Sequence, residues 1–448
     1  MPSPRDKTVT TSAVSLNPSV TSPEKLDQAK HLYPAKRAFL LTFWLLIGPG
    51  LLAMVGDNDA GGVISYAVTG ATFGMGWFIP IILLLMPVTY TIQEMTMRLG
   101  MVSQRPFPLL VFERFGRFWG YFSLFTLLLE NLLTLVTEFI GMSVGLSTLG
   151  VPFTLATIGS LLCVVSFALF GRYFTKERLA LLVGFLNIVF IVIAFTTKPD
   201  PSVFLHALVS SPFAHSQVSQ WLFFLIATVG NAVAPWMIFF QGSAVIDKGM
   251  THHDLRFGRL DTALGSFVQA AIAIGIVVTG AALYQYAHIH PAVLTNPTAM
   301  LQAYLVKNGV FVRDLFALGL VNAGFLAAMT ISLSTSWTFA GVFSWAKSLN
   351  DTVKEAPKFY AMYIGGLVVS ALVVLIPGLP LTNLAVASQA LAGILIVPLL
   401  IFLVKLTSDK KLMRVYVNGK MATIRVWTVT IVIIVLSAWL IMHTIFSL

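Results

Sequence analysis

Apolar runs of about 20 residues recur along the chain, separated by short segments that hold most of its charge. A helix of that length crosses the hydrocarbon core of a bilayer. Runs bounded by charge, Pro or Gly predict about eleven spans, near 38–72, 76–98, 118–147, 152–171, 178–197, 219–246, 261–285, 311–346, 358–378, 381–405 and 425–446. The alternating ten-residue pattern of a membrane β-barrel is missing from these runs. Two spans are interrupted. In the first, MVGDNDAGGV (54–63) sets Asp57 and Asp59 around Asn58, with Gly56, Gly61 and Gly62 beside them. In the sixth, TVGNAVAPWM (228–237) carries Gly230, Asn231 and Pro235. Proline removes a backbone donor and clashes with the preceding turn, so it breaks or kinks a helix. The pattern predicts an all-α polytopic membrane protein with interrupted helices 1 and 6.

Composition agrees. Of 448 residues, 57% are hydrophobic and 10% charged, against about 25% charged in a soluble domain. The net charge of +10 does not indicate nucleic acid, because it follows the loops. If residues 1–37 and alternate loops face the cytoplasm, 25 of the 28 Lys and Arg lie on that side, all but Lys198, Lys307 and Arg313. This is the positive-inside pattern. It predicts a cytoplasmic N-terminus and an extracytoplasmic C-terminus. Residues 1–36 are rich in Ser, Thr, Pro and Lys and read as a disordered tail. A transporter-like core over 37–406 follows, in two sets of five spans (37–198 and 219–406). A cytoplasmic loop and the eleventh helix fill 407–448. No cleavable signal peptide is recognisable, so the first span is expected to act as an uncleaved anchor. The single cysteine, Cys163, reads as a small packing residue.

Spans 1 and 6 open the two sets of five. Interrupted helices at corresponding positions of two halves mark a midplane binding site in transporters. Unwound backbone at that depth is tolerated where it lines a cavity or is buried in protein. Carboxylates inside a membrane are costly and mark function. Here they are Asp57, Asp59, Glu94, Glu130 and Glu138, and the span interiors offer them almost no Lys or Arg as partners. Acids facing a cavity suit a cation, a proton or both. Asp59 is the first ligand candidate. For Asp57 a direct ligand, a support to a ligand and a contact through water all remain open. Glu138 fits either a polar pathway or a structural hydrogen bond. Glu94 and Arg98, four apart, form a helix-face pair. Glu130 reads as packing or part of a water network. His252, His253, His288 and His290 read as solvated loop residues.

These residues resemble a known family, the Nramp divalent-metal transporters, and within it the divergent Nramp-related branch. The likeness spans residues of roughly 45–405. GPGLLAMVGDNDAGG resembles the first-helix stretch in which GPG precedes D-P-G-N. QEMTMRLGMV resembles Q-x-x-x-x-R-L-G-x-V, TEFIG resembles E-V-I-G, and VGNAVAPWM resembles A-T-V-M-P-H-N. The resemblance implies a LeuT-type five-plus-five inverted repeat. It places Asp59 at the metal-binding Asp and Gly61 at the conserved Gly. It places Gly62 where the family has an Asn ligand, Asn231 at an Ala whose carbonyl binds metal, and Ala234 at the Met whose sulfur does. Trp236 and Met237 stand where the family has His and Asn, and Leu135 replaces a third-helix acid. Gln389 of ASQALAG resembles a Gln that reaches the site. Asn58 and the carbonyls of Asp57 and Ala232 are further candidates.

Loss of the thioether removes a preference for softer transition metals, because Mg²⁺ is a hard ion that prefers oxygen. Mg²⁺ also keeps several waters when bound, which a site emptied of two large side chains accommodates. The expectation is a carrier importing divalent cations, foremost partly hydrated Mg²⁺, by alternating access with weak or no proton coupling. The Nramp-related branch includes magnesium transporters, which supports that choice. The alternative is a proton-coupled Mn²⁺ transporter. An amino-acid or organic-cation carrier fits less well, because two acids repel a substrate carboxylate. No enzyme motif and no prosthetic group are indicated. The expected partners are the metal and the lipid bilayer, the expected state a monomer, and the expected location a bacterial inner membrane.

Overall fold

The computed structural model describes residues 43–169, 173–197, 218–345 and 352–446. The predicted tail at 1–36 and the Lys198 and Lys347 loop positions lie outside the described residues. Those described are helical, without a strand. The main helices are α1 (Pro49–Gly56), α2 (Ala60–Phe73), α3 (Phe78–Ser103), α4 (Arg117–Thr148), α5 (Phe153–Leu169), α6 (Tyr173–Leu186) and α7 (Val189–Thr196). They continue with α8 (Val218–Ala232), α9 (Pro235–Asp247), α10 (Leu255–Ala281), α11 (Val310–Val342), α12 (Pro357–Val374), α13 (Leu381–Ser408) and α14 (Lys420–Phe446). Among the described residues, nine helical stretches are long and apolar enough to cross a membrane; α8 with α9 forms one of them, while α5 is shorter. Within the described residues, each of the eleven predicted runs falls mainly on helix or on a pair of helices meeting at a break.

Both breaks are narrower than the sequence suggested. The first covers only Asp57–Asp59. Gly61 and Gly62 already belong to the first turn of α2, and Gly56 closes α1. Asp59 is extended (φ −72°, ψ 169°) and caps α2, its carboxylate accepting from the Gly62 N–H. This is the standard use of Asp before a helix. The second break covers Val233 and Ala234, so Gly230 and Asn231 remain helical. Pro235 causes it. It occupies the first position of α9, where no N–H is needed, and it drives the residue before it out of the helical region. Ala234 is accordingly extended (φ −81°, ψ 148°).

The helices cross-pack in a pattern with internal symmetry. The first span (α1, α2) lies on α10, the seventh span, and the sixth span's α9 lies on α3, the second; α4 and α11, the third and eighth, run against each other, and α8 lies on α13. The breaks are thus held at the centre of the bundle. Large apolar side chains such as Leu84, Phe125, Leu162, Phe195 and Phe267 are exposed on the outside. In water such patches are a liability; in a bilayer they are the surface that lipid covers. Cys163 belongs to this outer surface, which corrects its reading as a packing residue. A small side chain in an apolar run does not reveal which face it occupies.

Candidate ion site at the helix breaks

A helix N-terminus leaves its first backbone N–H groups without partners and carries partial positive charge. Two such ends meet inside this bundle, and acids cover both. At α2, the Glu138 carboxylate of α4 accepts from the Ala60 N–H at 2.8 Å and also faces the Gly61 N–H. Asp59 takes the Gly62 N–H. At α9, Pro235 has no N–H. The Asp57 carboxylate faces the N–H of Ala234, and the Glu130 carboxylate faces that of Trp236. Each end therefore receives one Asp from the first break and one Glu from α4. The expectation that these acids lack fixed partners is corrected. Their partners are the backbone donors that the breaks expose, together with amides and hydroxyls from neighbouring helices.

Gln269 on α10 joins the two breaks. Its amide donates to Asp57 Oδ2 and, at 3.0 Å, to the Ala232 carbonyl. Its backbone carbonyl accepts from Asn58 Nδ2 at 3.2 Å. The Ala232 carbonyl also receives the Thr89 hydroxyl at 3.1 Å, so both of its lone pairs are engaged. Asp57 and Ala232 thus tie the breaks together. Gln269 was not singled out in the sequence, although an amide in the middle of SFVQAAIAIG is itself a signal of polar work inside a membrane.

A second group of oxygens lies on the other side, over Gly62. The point where a side chain on residue 62 would begin is 2.9 Å from Asp59 Oδ1, 3.3 Å from Asn231 Oδ1 and 3.5 Å from the Asp57 carbonyl oxygen. Asn231 Nδ2 donates to the Ser65 hydroxyl at 3.1 Å, which turns Oδ1 toward this space. That Oδ1, although buried, has no hydrogen-bond partner, and neither has Asn58 Oδ1. Buried polar atoms without partners are rare because they are costly. Gln389 Nε2 closes the site from α13, 3.0 and 3.3 Å from the two Asp59 oxygens. Ala234 lies in the second break and offers no side-chain donor. Among the described residues, no group of three or more His, Cys, Asp or Glu could hold a metal; one carboxylate and neutral oxygens make up this cluster.

Trp236 and Met237 are fully buried in the apolar core. Trp236 packs edge-on against Phe240 (5.8 Å between centroids), which meets Trp337 (5.6 Å). Leu135 is likewise buried. Glu94 and Arg98 pair at 3.0 Å as the spacing predicts, joined by Arg259 at 2.9 Å, while Arg98 reaches Asn418 at 2.7 Å. The four loop histidines are exposed. Lys176 and Lys248, counted with the loop charges, are instead buried. The charge pattern reports the side of the membrane, not whether a residue near a helix end folds inward.

A bundle with two centrally broken helices and a cluster of oxygens between them defines a membrane transporter of the LeuT-type fold. Solved structures agree: the manganese transporter of Eremococcus coleocola superposes with TM-score 0.69 at 20% identity, over 90% of this chain and 87% of that one. MhsT, solved with L-phenylalanine, gives TM-score 0.55 at 12% identity, over 88% and 97%. The chain belongs to the Nramp family: the "Natural resistance-associated macrophage protein-like" family model matches residues 50–443. Its relatives include the divalent metal cation transporters MntH of Pediococcus pentosaceus, 26% identical over 92% of this chain and 94% of the relative, and of Bacillus subtilis, 23% identical over 89% and 92%.

Proposed function

We propose that this protein carries divalent metal cations across a membrane by alternating access, and that a hard, partly hydrated ion, foremost Mg²⁺, is its cargo. One observation carries the reading: three oxygens, one of them the unpartnered Asn231 Oδ1, converge over Gly62, where a family Asn is missing. Asp59 supplies the charge, Asn231 and the Asp57 carbonyl supply neutral oxygens, and waters complete the shell. A single carboxylate among neutral donors suits an ion that keeps part of its hydration. Asp57, through its carboxylate, holds the breaks in register.

Mn²⁺ is the second reading, and the relatives favour it over Mg²⁺. The Eremococcus coleocola structure is of a manganese transporter, and oxygen ligands suit Mn²⁺ as well. An amino-acid carrier fits poorly. In such carriers a half-helix N-terminus receives the substrate carboxylate, and here carboxylates of the protein already face both ends. The bacterial relatives and the loop charges support a bacterial plasma membrane with the N-terminus inside, and we take the monomer as the working unit.

Reconstitution in liposomes with Mg²⁺, Mn²⁺ and pH indicators tests the reading. Mg²⁺ uptake is expected, and Asp59→Ala is expected to reduce it to the level of protein-free liposomes. Normal uptake by that variant sinks the assignment. Uptake confined to Mn²⁺, with internal acidification, selects the second reading.

A further inference from the structure

On the outer side of the bundle, between α4, α11 and α12, lies a cavity of about 140 Å³. It exists because α12 presents small residues there. Ala361, Gly365 and Val369, spaced four apart, line its mouth and are exposed on the outer surface. A side chain on Gly365 would meet no heavy atom within 4 Å, and one on Gly366 would begin 3.4 Å from Leu135 Cδ1. Leu132 and Leu135 of α4 line the walls. These positions fall near the middle of α4 and α12, so the mouth faces hydrocarbon rather than headgroups or bulk water.

The buried floor carries three polar side chains. Asn131 of α4 and Thr335 of α11 pair with each other at 2.7 Å, so both are engaged. Ser332 is not. Thr330, Thr335 and Ser336 of the same helix each bond a carbonyl three or four residues back, the usual outlet for a hydroxyl inside a helix. The Ser332 hydroxyl makes no such bond; it is 2% exposed and has no partner. A buried hydroxyl left unmet is costly. Water answers it poorly, because a buried water needs two to four polar partners and the walls are almost wholly apolar. An acyl chain would fill the space and leave the hydroxyl unmet. Volume and lining together fit a molecule with an apolar body and a single hydrogen-bonding group. An apolar cavity of about 150 Å³ holds a benzene ring, so that body has about six carbons.

We propose that this cavity binds small lipid-borne alcohols and phenols, which enter from the bilayer past Gly365 and hydrogen-bond to Ser332 Oγ. The site goes beyond the transport reading and does not rest on it. It does lie close to the ion site: Asn131 follows Glu130 in the chain, and Glu130 faces the Trp236 N–H. A bound alcohol therefore sits one residue from an acid that covers α9.

Photolabelling tests the site. The full chain is reconstituted in phosphatidylcholine vesicles and irradiated with a diazirine-bearing hexanol. The label is expected in peptides that hold residues 128–135, 332–335 and 361–369. Excess hexan-1-ol should suppress it, and hexane at a matched concentration in the bilayer should compete about tenfold less well, because it leaves the hydroxyl unmet. Ser332→Ala removes that hydroxyl without adding bulk, and hexan-1-ol is then expected to compete no better than hexane. Gly365→Leu adds bulk at the mouth, where it meets nothing within 4 Å at its first atom, and is expected to cut labelling of the cavity by at least about tenfold. Label spread evenly over the lipid-facing helices overturns the proposal. So does hexane competing as well as hexan-1-ol in the parent protein, which would make the cavity a groove for acyl chains. Labelling unchanged in both variants overturns it as well. The labelling needs no cation, so it decides the site whether or not the transport reading stands.

Discussion

Asp57 and Asp59 stand two residues apart and face different tasks. Asp59 keeps its carboxylate beside Gly62, where it meets the Gly62 N–H and Gln389, whereas Asp57 turns its carboxylate to Gln269 and the second break and brings only its backbone oxygen near Gly62. The difference follows from where each falls: Asp57 ends α1, and Asp59 begins α2. Gly62 completes the site by what it lacks. Gly62→Asn would place atoms among oxygens already 2.9–3.5 Å from that point. It is expected to lower Mg²⁺ uptake by about tenfold and to affect Mn²⁺ less, measured by competition between the two ions in one liposome preparation. An unchanged ratio would count against room for hydration as the basis of selectivity.

At the scale of the element, α4 acts as a common strut. Glu130 and Glu138 sit about two turns apart on it, and each covers the N-terminus of a different half-helix. Hydrogen bonds to a charged acceptor contribute about 1.5–3 kcal/mol, so replacing either acid should slacken the half-helix it serves. Glu138→Gln is expected to raise the KM for the ion, because α2 begins at Asp59. Glu130→Gln should instead lower the maximal rate at constant KM. Initial uptake rates over a range of ion concentrations separate the two; identical effects would deny the division of labour. The spans and the breaks were legible in the sequence because apolar length, Pro235 and the Asp–Asn–Asp run act locally. Asp59 and Asn231 stood out from their places at the breaks, and Gln389 through motif resemblance. The partners of the acids were not, since the donors at Ala60, Ala234 and Trp236 exist only once the helices break and α4 packs beside them. Lys248 was misread for a similar reason: its burial depends on Glu177, 71 residues away in sequence.

For the whole molecule, the central acids are held by backbone and amide donors rather than by basic side chains. On the proposed reading, a carrier built in this way would work without exchanging protons with histidine. Mg²⁺ uptake is therefore expected to be unchanged when an imposed pH gradient is collapsed with an ionophore, and the internal pH signal should stay flat. Uptake that collapses with the gradient would return the protein to the proton-coupled reading.

The amide of Gln389 has a consequence for the empty half of the cycle. A carrier that has released its cation must bring a negatively charged pocket back through the membrane, and a bare buried carboxylate costs several kcal/mol. Gln389 reaches across from α13 to both oxygens of Asp59, and on the proposed reading it would stand in, as a neutral donor, for the departed ion. On the transport reading proposed above, loading would exchange this amide for the cation, and the return stroke would run with the amide in its place.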